Sequence, residues 1–239
     1  MHLQDAGLNI FETILARRSV RSYGGGSLDR RTINTLLEAA VRAPTSKHAE
    51  PWAFVIVQDR QLLQRLSERA KPRFAEELRR AGVAPTDQYF ETCPGPDSNL
   101  FYDAGTLILI CAKPLGPFVT ADSWLAAGNL MLAASAIGLG SCVIGSAVPA
   151  LNVPEIKSEL GIPAEYSTVA PIIVGHPRGE TPMSSRREPL ILAWLSGADD
   201  LHHQPAASSP DAHAAWQARS GSVSNAARAG AELKALRRP

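Results

Sequence analysis

Three arginines and a serine stand within five residues near the start of the chain, in the segment RRSVR at residues 17–21. Arg17, Arg18 and Arg21 supply positive charge and forked N–H donors, and Ser19 adds a short hydroxyl donor. A phosphate monoester, with nearly two negative charges, suits this set of donors. Residue types alone favour a simpler interpretation, the solvated basic end of a helix. A phosphate site is therefore predicted only if other segments of the chain complete it.

A second basic cluster lies far along the sequence, in SSRREP at residues 184–189. By itself it reads as a surface loop. Together with RRSVR it could close two sides of one phosphate, because each arginine offers several N–H donors. Arg187 is the better candidate for this contact, and Arg186 is the alternative.

The segment APTSKHAEPW at residues 43–52 lies between a predicted helix end and a predicted strand. A loop anchored by rigid elements can present hydroxyls, Lys47 and His48 to a ligand. Pro44 and Trp52 equally suit a plain turn and a core position. An isolated histidine is also more often a surface residue than a catalyst.

GLGSCVIGS at residues 138–146 contains glycines that would let the backbone approach a flat ligand closely. The chain has neither the spaced-glycine dinucleotide fingerprint nor a phosphate-loop lysine motif, so a dedicated nicotinamide-binding domain is not predicted. It also has no nucleophile elbow. The six histidines lack the spacing of metal ligands, and no metal site is predicted.

Composition points to a compact cytoplasmic enzyme acting on small molecules. Lys plus Arg is 24 against 23 for Asp plus Glu, so no basic field exists to attract nucleic acid or a membrane surface. The apolar stretches are too short or too interrupted to span a bilayer. Cys93, Cys111 and Cys142 are widely separated and odd in number, which favours buried thiols over disulfides.

Hydrophobic periodicity supplies the elements that must hold these segments. Phe11, Ile14 and Leu15 predict a helix that runs into Arg17, and a second helix follows Ser27. Strands are predicted at Trp52–Val57, Thr106–Ala112 and Ser167–Gly175, with a short strand or turn at 141–146, and helices at 60–81, 121–139 and 154–160.

The helix at 121–139 is apolar on nearly every side, so it needs packing all round, either centrally or at a large subunit interface. Strands and helices do not alternate strictly, which favours an α+β fold over a doubly wound parallel sheet. Few large apolar residues occur late in the chain. We therefore predict one domain over residues 1–197 and a flexible Ala/Ser-rich tail over 198–239.

The order of the segments is more specific than any one of them. ETILARRSVRSY, AAVRAPTSKHAEPWAFVIV, YDAGTLILICA, GNLMLAASAIGLGSCVIG, LGIP, PIIVGHPRGE and SRREP follow one another over about residues 10–192. In this order they resemble the FMN-dependent nitroreductase family. The resemblance implies an α+β fold with a central mixed or antiparallel sheet covered by helices. It also implies an intertwined homodimer with FMN sites at the subunit interface.

The resemblance also implies roles for single residues. Arg17 and Ser19 correspond to phosphate ligands, Arg18 to a backbone and ribityl contact, and Arg21 to a cation near the flavin's pyrimidine edge, which would stabilise the charge of the reduced ring. The remaining cofactor-binding positions are Pro44, Thr45, Ser46 and His48 along the ring, Gly145 and Ser146 over its other side, and Arg186 with Arg187 as a phosphate clamp.

The activity implied is a ping-pong exchange. NADH or NADPH reduces FMN by hydride transfer, and a nitroaromatic, quinone or related small electrophile is reduced next. Because the flavin supplies the chemistry, no catalytic side chain is predicted. His48 and Glu50 replace the Asn and Gln common in the family's loop, and Ser185 replaces a basic residue before the clamp. Dehalogenation, flavin breakdown and flavin binding without turnover therefore stay open as alternatives.

Overall fold

The computed structural model describes residues 9–83, 98–183 and 185–195. Of these, residues 17–83 and 98–181 lie in one compact unit, whereas Asn9, α1 (Ile10–Ala16) and residues 182–183 and 185–195 belong to a second. The predicted boundary at residue 197, the tail at 198–239 and Cys93 fall outside the described residues. The predictions made for them stay predictions.

Four antiparallel strands form the sheet of the larger unit. They are β1 (Trp52–Val57), β2 (Thr106–Ala112), β3 (Gly140–Val143) and β4 (Ser167–Gly175), in the order β1-β2-β4-β3. The predicted bounds of β1, β2 and β4 are confirmed. The region predicted as a strand or turn at 141–146 begins as a strand one residue earlier and ends as one at Val143. Because β3 pairs within the sheet only with β4, its other edge is open to a further segment.

Helices cover both faces of this sheet. Within the larger unit they are α2 (Arg30–Ala40), α3 (Arg60–Arg80), α4 (Val119–Ala136), α5 (Val148–Leu151) and α6 (Pro154–Glu159). Successive residues of β2 point to opposite faces. Leu107 and Leu109 accordingly pack in the core that includes α3, while Ile108 and Ile110 pack in the core that includes α2 and α4. The predicted α+β fold, a central sheet covered by helices, is confirmed.

Aspartates cap two of these helices. The Asp29 carboxylate accepts a hydrogen bond from the Thr32 N–H at 2.9 Å, so α2 begins just after it. This hydrogen bond lowers the pKa of the Asp29 carboxyl. The Asp59 carboxylate accepts hydrogen bonds from two backbone N–H groups at 2.8 and 3.0 Å at the start of α3.

The α4 helix is buried on one face only. Small residues and Leu130 pack against the sheet and α2, whereas Trp124 and Leu125 are 42% and 48% exposed. Of the two predictions for this helix, the central position is wrong for the single chain. The subunit interface stays a prediction. Among the described residues, no helix combines the length and the apolar character needed to cross a membrane.

Candidate functional site

The arginine-rich segment at residues 17–21 runs beside the open edge of β3. Ser19 forms a parallel bridge with Ser141, and the Val20 N–H donates to the Ser141 carbonyl at 3.0 Å. Side chains alternate along an extended segment, which places Val20 in the core and leaves Ser19 and Arg21 exposed. The segment is therefore paired to the sheet rather than being the solvated last turn of a helix.

Two glycines make room for this segment. A Cβ atom at Gly140 would lie 2.7 Å from the Val20 Cβ, and one at Gly175 would lie 3.1 Å from the Tyr23 Cδ1. The buried Tyr23 hydroxyl donates to the Val20 carbonyl at 2.8 Å. Close packing on both sides thus holds the backbone that carries the arginines.

Residues of this segment affect the pKa of one buried thiol. Burial raises the pKa of the Cys142 thiol. The positive charge of Arg21, a hydrogen bond from Ser19 and the positive charge of Arg17 each oppose part of that rise. Burial also raises the pKa of Tyr23 well above its usual range, with Cys142 adding to the rise and Arg21 opposing it. Arg17 and Arg21 each stand two positions from Ser19, which pairs with Ser141 on β3. Positive charge and a hydroxyl donor are therefore concentrated along this short segment.

Arg18 differs from its neighbours. It is half-buried, and its Nη1 donates to the Arg17 carbonyl at 2.8 Å. One of its N–H groups thus supports the backbone of its own segment. Its predicted contact with a ribityl chain stays a prediction.

Gly145 and Ser146 follow β3 directly. They begin a short 3-10 turn, Gly145–Ala147, after the Ile144 N–H has donated to the Pro171 carbonyl at 2.9 Å. Gly145 is exposed, and a Cβ placed there would meet no atom within 4 Å. The structure thus places Gly145 and Ser146 just beyond the end of β3, the strand with which Ser19 pairs.

The glycines of residues 138–146 meet different structural requirements. Gly138 has a φ of 78° just after α4, a left-handed conformation that favours glycine, and Gly140 is required by the side chain of Val20. The prediction that these glycines admit a flat ligand therefore applies to the open position at Gly145.

The loop between α2 and β1 holds the other group of predicted residues. Pro44 is exposed, Thr45 and Ser46 are half-buried, and the 3-10 turn Ser46–His48 leaves His48 exposed. Lys47 and His48 both have a φ of 54°, and Glu50 has a φ of 42°. Three non-glycine residues are thus left-handed within four positions, which is a backbone under strain.

A residue not predicted from the sequence holds this loop. Asp122 lies in the first turn of α4 and is only 5% exposed. The Ser46 N–H faces both of its carboxylate oxygens, at 3.3 and 3.4 Å. The signal available in the sequence was an acid at the start of a nearly apolar helix, since an acid in such a position needs a hydrogen-bond donor.

The two groups of residues lie towards opposite ends of α4. Asp122 is in its first turn and Ala136 is its last residue, about 21 Å apart along the axis at 1.5 Å per residue. Ser141, the partner of Ser19, follows shortly after that far end. Within a single chain, the structure joins residues 17–21 to β3 and joins the Ser46 loop to the start of α4.

Arg186 and Arg187 are exposed and belong to the second unit, as does Ser185. Their predicted closure of a phosphate site with Arg17 stays a prediction. Within residues 9–83, 98–183 and 185–195, no group of three metal-ligating side chains comes together.

Comparison with known proteins agrees with this architecture. A protein of Archaeoglobus fulgidus named provisionally as an NADH dehydrogenase/NAD(P)H nitroreductase is 27% identical over 172 residues, covering 70% of this chain and 84% of that protein. An iodotyrosine deiodinase of Thermotoga neapolitana is 26% identical over 185 residues, covering 76% of this chain and 96% of that enzyme.

A solved structure shares the fold as well. The crystal structure of a nitroreductase with bound FMN from Bacteroides fragilis superposes with a TM-score of 0.66 at 26% identity, covering 80% of this chain and 100% of that one. Residues 14–176 match the Nitroreductase family, a span that includes both the β3 edge and the Ser46 loop. The resemblance drawn from the ordered segments is confirmed, and the chain belongs to the Nitroreductase family.

Proposed function

We propose that the chain is an FMN-dependent oxidoreductase that uses NADH or NADPH to reduce nitroaromatics, quinones or related small electrophiles. The observation that carries this proposal is the set of donors at the β3 edge. Arg17 and Arg21 flank Ser19, which pairs with Ser141 on β3. Similarity to a nitroreductase with bound FMN supports the choice of cofactor.

The residues present fit the phosphate of FMN. A phosphate monoester needs several N–H or O–H donors and compensating charge, and charge-assisted hydrogen bonds of this kind are the strong ones. Arg17 is half-buried and Ser19 exposed, so a ligand could reach the hydroxyl while the guanidinium keeps a fixed position. We assign Arg17 and Ser19 to the phosphate and Arg18 to a ribityl contact, and the role of Arg187, with Arg186, as a phosphate clamp stays a prediction from the sequence.

Other residues would orient the flavin ring. Arg21 is exposed two positions beyond Ser19, where its charge can stabilise negative charge on the pyrimidine edge. Gly145 offers an open backbone against which a flat ring can lie, with Ser146 beside it. When bound, FMN supplies the hydride chemistry. The protein then contributes position and charge, and solvent can supply the proton that reduction of the acceptor consumes, so no side chain has to transfer one.

A homodimer would complete the site. Pro44, Thr45, Ser46 and His48 lie near the start of α4, whereas residues 17–21 pair near β3, beyond its other end. That separation is longer than a flavin ring. A second copy packed on the open face of α4 would bring its own Ser46 loop to the β3 edge. The exposure of Trp124 and Leu125 supports this packing, because large exposed apolar patches mark interaction surfaces.

Reconstitution and turnover test the proposal. The purified chain is expected to bind FMN, to lose its yellow colour when NADH or NADPH is added without oxygen, and to regain it with a nitroaromatic or a quinone. A colourless protein that FMN cannot reconstitute contradicts the proposal. Retained colour that neither nicotinamide bleaches leaves flavin binding in place and contradicts the oxidoreductase.

Reductive dehalogenation is the second candidate. The similarity to an iodotyrosine deiodinase along 96% of that enzyme favours it. In this reaction two electrons from the donor and a proton replace the carbon–halogen bond by a carbon–hydrogen bond, and halide leaves. Iodide release from an iodinated phenol, measured beside nitroaromatic reduction with the same protein, distinguishes the two candidates.

A further inference from the structure

We propose that Asp122 is a positioning residue. Its buried carboxylate holds the turn Ser46–His48 in the left-handed form that sets acceptor selectivity. The selectivity rests on the proposed function, whereas the anchoring rests on the geometry alone.

The turn cannot owe its shape to its own residues. Lys47, His48 and Glu50 have positive φ angles, a region that non-glycine residues rarely occupy without an external constraint. All three are exposed, so burial of their side chains does not impose the conformation. The constraint must come from the residues at which the turn is attached.

Ser46 is the point of attachment. Its N–H faces the two Asp122 oxygens at 3.3 and 3.4 Å, and its carbonyl accepts a hydrogen bond from the Ala49 N–H at 3.1 Å. One residue thus links the turn to itself and to α4. Because Asp122 sits in a helix packed on the sheet, the turn gains a rigid support.

A carboxylate is an expensive choice for this position. Removing a charged group from water is unfavourable unless a donor compensates it. Within the described ranges, the Ser46 N–H is the group that donates to the Asp122 carboxylate. The buried charge is therefore directed at the loop and not at the packing of α4.

Loss of this bond should release the turn to ordinary right-handed backbone. The exposed side chains of Lys47 and His48 would then no longer hold fixed positions beside an incoming acceptor. Phosphate binding by Arg17 and Ser19 depends on β3, a separate element. We expect acceptor KM values to change even when FMN is saturating.

The first experiment compares three variants of the full-length protein. Asp122→Ala removes the acceptor, Asp122→Asn keeps an oxygen that can accept the same hydrogen bond, and Asp59→Ala removes a carboxylate that accepts backbone N–H bonds at the start of α3. Trypsin cleavage after Lys47 should rise about tenfold or more in Asp122→Ala, since a lost charge-assisted bond shifts local opening by that order. Asp122→Asn should restore most of the protection, and Asp59→Ala should leave it unchanged.

Kinetics then test the positioning role. The ratio of KM values for a nitroaromatic and a quinone, measured with FMN saturating, should shift in Asp122→Ala and return in Asp122→Asn. Equal cleavage in Asp122→Ala and Asp59→Ala overturns the anchor. Increased cleavage with an unchanged KM ratio overturns the selectivity. If the wild type binds no FMN, the proposed function and the selectivity fail, while the cleavage data still decide the anchor.

A measurement on the unaltered protein covers the case in which Asp122→Ala does not fold. Amide exchange should be slow at Ser46, whose N–H is bonded to a buried carboxylate, and fast at Lys47. Exchange at Ser46 as fast as at Lys47 overturns the anchor.

Discussion

The β3-edge segment at residues 17–21 and the turn at Ser46–His48 are held in opposite ways. The first has ordinary extended backbone, a strand partner and close packing around Val20 and Tyr23. The second has left-handed backbone and is held by a hydrogen bond to one buried carboxylate. An arginine-rich segment can thus be held as an extension of a sheet, whereas a strained loop near the other end of α4 depends on a single tertiary bond.

The largest expected loss of stability comes from adding a side chain at Gly140, which packs against Val20 of the first region. Gly140→Val should lower the free energy of unfolding by about 3 kcal/mol or more, because its side chain would overlap that of Val20. Chemical denaturation measures this change. Gly26→Ala, in the loop before α2, is the matched control, since a Cβ there meets no atom within 4 Å. Equal stability of the two variants would contradict the close packing.

Removing one hydroxyl from the same region should have a smaller effect. Tyr23→Phe deletes the hydrogen bond from the buried hydroxyl to the Val20 carbonyl and should destabilise the protein by about 1 kcal/mol. Tyr102→Phe, at a partly buried tyrosine elsewhere in the core, provides a control. A Tyr23→Phe variant as stable as wild type would mean that packing alone holds the segment.

Alkaline pH should destabilise the first region. Burial raises the pKa of Cys142, so its neutral form is favoured by folding, and the stability gained is present below the ordinary thiol pKa. That stability is lost as the pH rises through the folded-state pKa, and Tyr23 adds a loss at still higher pH. Denaturation midpoints across alkaline pH should fall less steeply in Cys142→Ala. Identical slopes would contradict the burial of the thiol.

In the second region, a substitution to glycine should stabilise the protein. Lys47→Gly removes the Cβ that makes a φ of 54° unfavourable, so it should raise the free energy of unfolding by up to about 1 kcal/mol. Lys71→Gly within α3 should instead lower it. Thermal denaturation of both variants checks the sign. A destabilised Lys47→Gly would mean that the turn is not strained.

Local patterns predicted the elements, and tertiary contacts decided the site. β1, β2 and β4 could be predicted because each is an apolar run of strand-forming residues bounded by turn residues. Ser46 and Asp122 are 76 positions apart, and no periodicity links them. The left-handed angle of Lys47 was equally hidden, since lysine does not favour that region.

The predicted functional residues divide along the same line. RRSVR was recognisable because charge and hydroxyl are concentrated in five residues. Its pairing with β3 depends on Val20 and Gly140, which are ordinary residues whose spacing carries no signal. The role of Arg187 stays a prediction, because nothing in its local pattern distinguishes a clamp from a surface loop.

The most direct test of the central claim, that the β3 edge holds the phosphate of FMN, compares FMN with riboflavin in wild type and Arg17→Ala. Arg73→Ala, at an exposed arginine of α3, serves as the control. Loss of one charge-assisted phosphate contact should cost on the order of 1.5 to 3 kcal/mol, or about 10- to 150-fold in FMN affinity. Riboflavin, which lacks the phosphate, should bind both proteins equally. Equal weakening of FMN and riboflavin in Arg17→Ala, or no weakening of either, would contradict the account.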